Sequence, residues 1–228
     1  MSEWWTYTLD DFLLFSPATY WRLFELHNRG VWPAQLPALA AGVTILALTW
    51  GRSVRYGRLA GALLAACWLW VAWAFHWHRY TSINWAASWF AVAFALEGLL
   101  LAWRGVVHGR IAFDGPGTGT RRAGVALLVF ALIGIPLAAP LSGRPWAQAE
   151  LFGTAPDPTA IATLGVLLAA RGRARWGLMV VPLAWCVVSA ATLYAMRSWG
   201  GIFCVSAVLL AMLFAWTKRH EAPRGTAA

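Results

Sequence analysis

Residues 121–140 read RRAGVALLVFALIGIPLAAP, and the 18 residues from Ala123 to Pro140 include no charged side chain. An α-helix rises about 1.5 Å per residue, so a run of this length covers about 27 Å. The hydrocarbon core of a bilayer is about 30 Å thick. The run, which follows Arg121 and Arg122, therefore predicts a membrane-spanning helix rather than a helix of a soluble core.

The same pattern recurs along a chain of 228 residues, of which 60% are apolar and 12% charged. The predicted fold is therefore all-α, a polytopic transmembrane helix bundle of about seven spans. We assign residues 1–32 to an outer-surface amphipathic segment, 33–217 to the bundle and 218–228 to a cytoplasmic basic tail. The predicted spans are Pro33–Trp50, Leu59–Trp77, Trp85–Trp103, Ala123–Pro140, Pro158–Ala170, Gly177–Met196 and Gly200–Trp216.

Basic residues predict the orientation of these spans, because loops that stay inside the cell are rich in lysine and arginine. With seven spans and the N-terminus outside, the inner side holds 13 of the 18 basic residues. Removing the short fifth span changes the division to 8 inside and 10 outside. The charges therefore favour seven spans with the C-terminus inside. The net charge of +9 is read as a topology signal and not as a nucleic-acid surface.

An amphipathic helix is predicted before the first span. Ser16-Pro17 is a strong helix start, and Gly30 is a suitable stop. One face carries Tyr20, Leu23, Phe24 and His27, and the other carries Arg22, Glu25 and Arg29. We expect this helix to lie on the outer surface, either as an anchor or as a lid over an outward-facing cavity.

The fifth span is short, and it begins with an acid between two prolines, Pro156-Asp157-Pro158. Thirteen residues cover about 20 Å, which is less than the bilayer core. We expect Asp157 to cap this helix below the outer surface, with Pro158 first and Thr159 beside it. Residues 144–156 would then line a cavity. Asp157 and Thr159 are predicted to meet a cation or a proton; the alternative is a purely structural cap.

A second polar group, FHWHRYTSIN at residues 75–84, lies at the predicted outer turn between spans two and three. His76 and His78 resemble a metal pair, but residues two apart on a helix point to nearly opposite faces. We therefore predict no metal here. His76, His78 and Asn84 either cap helix ends or form a polar wall of the outer cavity.

Glu97 is the only acid within a long predicted span. A carboxyl group in the membrane should face the bundle interior, either neutral or paired. Two roles are open for Glu97: it carries a proton, or it makes a structural hydrogen bond. The nearby stripe of Trp70, Trp73 and Trp77 fits aromatic helix packing, and a flat apolar ligand such as a quinone is the alternative.

Three stretches resemble a small family of bacterial inner-membrane proteins. They are NRGVWPAQ (28–35), WLWVAWAFHWHRYTSINWAA (68–87) and LFGTAPDPTAIATLGVLL (151–168). The family is a domain of unknown function, some of whose members carry a permease label. The resemblance implies a multi-pass protein of the inner membrane and no established reaction. Family members often have proline where Trp85 stands and cysteine where Asp157 stands. The cysteine weakens any claim that this carboxylate is the family's shared chemistry.

These observations predict a permease-like protein with an outward-facing polar pocket for a small solute or cation. The alternative is a non-catalytic accessory subunit of a larger membrane complex. No nucleophile–base pair, phosphate-binding loop or cofactor motif stands in the sequence, so we predict neither an enzyme nor a cofactor. The expected partners are the lipid bilayer and either other membrane subunits or a second copy of the chain.

Overall fold

The computed structural model describes residues 15–113, 119–171 and 176–220. Within these ranges every regular element is helical. The helices are α1 (Pro17–Gly30), α2 (Gln35–Leu48), α3 (Val54–Trp70), α4 (Ala87–Leu101), α5 (Gly119–Val129), α6 (Ile135–Leu141), α7 (Pro156–Ala169), α8 (Trp176–Ala195) and α9 (Gly201–His220). The all-α prediction is confirmed for the described residues.

Three of these helices are prolonged by π-helical turns. The turns are Val71–Trp77 after α3, Ala102–Val107 after α4, and Phe130–Gly134 between α5 and α6. A π-helical turn widens the helix locally and is frequent at functional sites. The first of them carries His76.

A helix occupies each of the seven segments that the sequence predicts as spans. Four continuous helical stretches are long and apolar enough to cross a membrane: Val54–Ser82, Ala87–Val107, Gly119–Leu141 and Trp176–Ala195. A fifth is reached if α1 and α2, which meet at 94°, count as one broken span. Helix α7 and the apolar part of α9, Gly201–Thr217, are shorter. The structure thus gives four or five candidate spans, and the count of seven and the orientation stay predictions.

Helix α7 forms the centre of the bundle. All 14 of its residues are buried, and it packs against α3, α5, α8 and α9. A helix that is apolar all round is stable where lipid or other helices cover it, and here other helices cover α7 on every side.

Two contacts hold α7 against its neighbours. Gly165 meets Gly124 of α5 so closely that a Cβ atom on Gly165 would lie 2.6 Å from the Gly124 carbonyl oxygen. Small residues allow such close backbone packing between helices. On another face, the Trp68 indole N–H of α3 donates a hydrogen bond of 2.8 Å to the Thr163 hydroxyl.

The predicted amphipathic helix is confirmed as α1. The Ser16 hydroxyl accepts a hydrogen bond from the Thr19 amide, and the helix ends at Gly30 as expected. Its buried residues are Tyr20, Leu23, Phe24 and His27, the face that the sequence predicts. Its location on the outer membrane surface stays a prediction.

Parts of two predicted segments lie outside the described residues. They are residues 1–14 of the N-terminal segment and residues 221–228 of the basic tail.

Candidate functional site

Asp157 lies in the first turn of α7 and is 3% exposed. One carboxylate oxygen, Oδ1, accepts a 2.7 Å hydrogen bond from the Trp185 indole N–H of α8. The other, Oδ2, accepts a 2.6 Å bond from the Ser189 hydroxyl and a 3.5 Å bond from the Cys204 thiol of α9. Three donors on one carboxyl group match an ionised carboxylate, which only accepts hydrogen bonds.

The prediction that Asp157 caps its own helix is wrong. Helix α7 begins at Pro156 with Ala155 in the capping position, and no side chain caps its first turn. The Asp157 side chain is instead taken up by donors from α8 and α9. Thr159 serves the local backbone, since its hydroxyl donates to the Ala155 carbonyl and accepts from the Gly153 amide.

Glu150 is a second buried acid beside this site. It lies in the connection between α6 and α7 and is 8% exposed. Burial raises the pKa of the Glu150 carboxyl well above its ordinary value, the negative charge of Asp157 raises it further, and Arg144 opposes the shift. Within the described structure the Glu150 Oε2 atom has no hydrogen-bond partner. Two carboxyl groups therefore share one buried region.

His76 is fully buried in an aromatic enclosure. Its ring centroid lies 4.3 Å from that of Phe94 and 4.8 Å from that of Trp185, the residue that donates to Asp157. Tyr80 and Phe90 complete the enclosure at about 6 Å. Neither imidazole nitrogen has a hydrogen-bond partner among the described residues. In a neutral imidazole held in this way, one ring nitrogen can accept a proton and the N–H on the other can donate to a ligand.

Helix α1 closes the region from one side. His27 bonds through Nε2 to the Thr154 carbonyl oxygen at 3.0 Å. The Asn28 amide donates to the carbonyls of Ala147 and Ala149 at 2.9 and 2.8 Å. Tyr20, on the same face, is buried against Tyr80 with ring centroids 6.2 Å apart. The segment that leads into α7 is therefore fastened to α1 by side-chain hydrogen bonds.

The other predicted site residues lie elsewhere. His78 lines a cavity of about 500 Å³ whose walls do not include His76, Asn84 or Asp157. Asn84 stands at the entry to α4, where its Oδ1 accepts a 2.9 Å bond from the Ala86 amide. The structure thus brings His76 and Asp157 together through Trp185 and does not bring His78 or Asn84 to them. Ligand binding by any of these residues stays a prediction.

Glu97 is fully buried on α4, as predicted for an acid that faces the bundle interior. Neither of its oxygens has a hydrogen-bond partner in the described structure. It follows Phe94 by three residues, which places it about one helical turn from the residue that packs on His76.

Sequence reasoning missed most of the groups around Asp157. Trp185, Ser189 and Cys204 stand in apolar helices, where tryptophan, serine and cysteine are ordinary residues without a characteristic spacing. The one available signal was Glu150, an acid seven residues before Asp157 in a segment predicted to enter the membrane.

The region combines groups that can bind a proton. They are the Asp157 carboxylate, the Glu150 carboxyl group with one unpartnered oxygen, and the His76 imidazole, whose nitrogens are unpartnered and whose ring packs against Phe94 and Trp185. Among the residues that the structure describes, no group of three or more His, Cys, Asp or Glu side chains has the geometry to hold a metal ion.

The surface of the molecule exposes many large apolar side chains. Val43, Trp89, Leu99 and Leu209, for example, are each more than half exposed, as expected for a protein surrounded by lipid. Fold and site together define an all-helical membrane protein with a buried cluster of ionisable residues.

A family model matches residues 18–224, and the chain belongs to that family, a family of unknown function (DUF6064). This confirms the resemblance seen in the sequence. No curated protein and no solved structure matches the chain.

Proposed function

We propose that this protein is a permease-like protein of the inner membrane that takes up a proton at the closed site formed by Asp157, Glu150 and His76. The observation that carries the proposal is the presence of two buried acids within electrostatic reach of each other. Both oxygens of Asp157 accept hydrogen bonds, whereas Glu150 Oε2 has no partner among the described residues. Such a pair holds one negative charge more readily than two, so one of its members exchanges a proton.

The site is better suited to bind a proton than a metal cation. Both oxygens of Asp157 already accept hydrogen bonds, so a cation would have to displace the Trp185 or Ser189 donor. A proton needs only Glu150 Oε2 or a nitrogen of His76, and these atoms are unpartnered. The sequence led us to expect a small solute or a cation as the ligand, and we now propose that the ligand is a proton.

Glu97 is a second group that accepts the same proton. It is buried without a partner about one turn beyond Phe94, and Phe94 contacts the His76 ring. We infer a route that runs from the carboxyl pair past His76 toward Glu97. Helix α1 controls entry, because it covers the pair and is fastened by the His27 and Asn28 hydrogen bonds.

Proton flux into liposomes tests the proposal. Wild-type protein reconstituted with a pH-sensitive dye should dissipate an imposed pH gradient faster than protein-free liposomes. Asp157→Asn and Glu150→Gln should lower the rate to that of protein-free liposomes, whereas Glu25→Gln, which removes a surface ion pair with Arg22 and Arg29, should not.

A wild-type rate equal to that of empty liposomes would remove the transport proposal. Purification in mild detergent separates the other reading of the sequence, because an accessory subunit would copurify in a stable complex with other membrane proteins.

A further inference from the structure

The cavity that His78 lines lies apart from the two buried carboxyl groups, where the turn between α1 and α2 meets the π-helical end of α3. We call it the indole pocket. It has a volume of about 500 Å³, and its walls include Gly30, Trp32, Trp70, Trp73, His78 and Arg79. Among the described residues, no acidic side chain lines it.

The indole pocket holds hydrogen-bond donors that have no acceptors. The Trp70 indole N–H is buried and lacks a partner within the described ranges. The Arg79 guanidinium lies against Gly30, and the described structure gives it neither a hydrogen bond nor an ion pair. A guanidinium and an indole N–H can only donate. The complementary ligand is therefore an acceptor with negative charge, and a phosphate group meets both conditions.

An apolar groove continues from the same tryptophan. It has a volume of about 370 Å³ and runs between α2 and α3, with walls that include Ala34, Ala38, Ala41, Leu63, Ala66 and Trp70. Helices α2 and α3 pack against each other along this stretch. The groove lacks charged residues, so it suits a hydrocarbon chain. Trp70 lines both cavities, so the two are neighbours.

We propose that this chain binds a phospholipid, with the lipid phosphate at Arg79 and Trp70 and one acyl chain in the groove between α2 and α3. A donor-lined pocket next to an apolar groove favours an amphiphilic ligand over free phosphate. Trp32 and Trp73 are more than half exposed at the mouth, as indoles are at the headgroup level of a bilayer. The inference does not depend on the proton site.

Native mass spectrometry in detergent tests the lipid site, with phosphatidylglycerol as the probe. Trp70→Phe keeps the ring but removes the donor, and Arg79→Gln removes the charge. Each should weaken binding about ten-fold, the usual effect of losing one hydrogen bond to a charged group. Ala66→Trp, which fills the groove, should also weaken it. Trp103→Phe and Arg110→Gln, outside both cavities, serve as matched controls and should bind as wild type.

Competition with inorganic phosphate separates the two sources of the phosphate group. We expect inorganic phosphate not to displace the lipid, because it gains nothing from the groove. Displacement at equal concentrations, or an unchanged affinity in Ala66→Trp, would overturn the lipid assignment. Wild-type affinity in both Trp70→Phe and Arg79→Gln would overturn the site itself.

Discussion

Asp157 keeps a carboxyl group inside an apolar bundle because donors from two other helices surround it. Burying a charged group without partners is strongly unfavourable, and the Trp185, Ser189 and Cys204 donors replace the water that the carboxylate loses. The acid and its flanking prolines were visible in the sequence. Its donors were not, because they lie 28 to 47 residues away along the chain.

Trp185 and Trp68 are buried indole donors with hydrogen-bond partners, and the strengths of their two bonds can be compared directly. Trp185→Phe should lower the free energy of unfolding by about 1.5–3 kcal/mol, because it leaves a charged acceptor without its donor. Trp68→Phe removes a bond to the neutral Thr163 hydroxyl and should lower it by about 0.5–1.5 kcal/mol. Denaturation in detergent micelles measures both. Equal losses of unfolding free energy in the two variants would show that the Trp185–Asp157 hydrogen bond is no stronger than the Trp68–Thr163 hydrogen bond.

Glu150 should make stability depend on pH. Its folded-state pKa is raised by burial, so its contribution to stability is full below the unfolded value of about 4.3 and is lost as pH rises through the raised value. Glu150→Gln should therefore become more stable relative to wild type as the pH rises above the unfolded-state pKa of Glu150. Thermal unfolding at a series of pH values measures the difference. A constant difference between the two proteins would contradict the buried, uncompensated state of Glu150.

Among the elements, α7 shows what periodicity can and cannot predict. Its place in the sequence was predicted to within two residues at the start and one at the end. Its position at the centre was not, because an apolar run looks alike whether lipid or protein surrounds it. The distinguishing sign was its small residues, such as Gly165 at the contact with α5.

That contact can be tested with one added methyl group. Gly165→Ala should lower the free energy of unfolding by about 1–3 kcal/mol, since its Cβ would press on the backbone of Gly124 and Leu128. Gly119→Ala is the matched control, because a Cβ there meets no atom within 4 Å. Thermal unfolding of the two variants checks the prediction. Equal stability in both would mean that α5 and α7 are not tightly packed.

Helix α1 should loosen when its fastening to residues 147–149 is removed. Asn28→Ala deletes two hydrogen bonds to backbone carbonyls, so amide exchange across Pro17–Gly30 should become faster. Arg22→Ala, which removes an exposed ion pair, should have a smaller effect. Hydrogen-exchange mass spectrometry reports both. Unchanged exchange in Asn28→Ala would argue against α1 as a cover that can open.

At the scale of the whole molecule, the sequence predicted which segments are helical, and it predicted seven membrane crossings where the structure gives four or five candidate spans. Charge counting requires each loop to be assigned to one side of the membrane. The length of α7 and of the apolar part of α9 does not decide whether these helices cross it, so the side of the loops next to them stays undecided. We predict that a reporter fused after Thr217 is cytoplasmic and a tag before Ser2 is periplasmic. Both ends on one side of the membrane would contradict the seven-span arrangement.

The central claim is that Asp157 and Glu150 share one exchangeable proton. Infrared difference spectroscopy tests it during a pH titration of the protein in membranes, in a Glu97→Gln background that removes the other buried carboxyl. We predict a protonated-carboxyl band that titrates, disappears in Glu150→Gln, and titrates at lower pH in Asp157→Asn because the neighbouring negative charge is gone. A band that keeps the same midpoint in Asp157→Asn, or no titrating band in the Glu97→Gln protein, would contradict the claim.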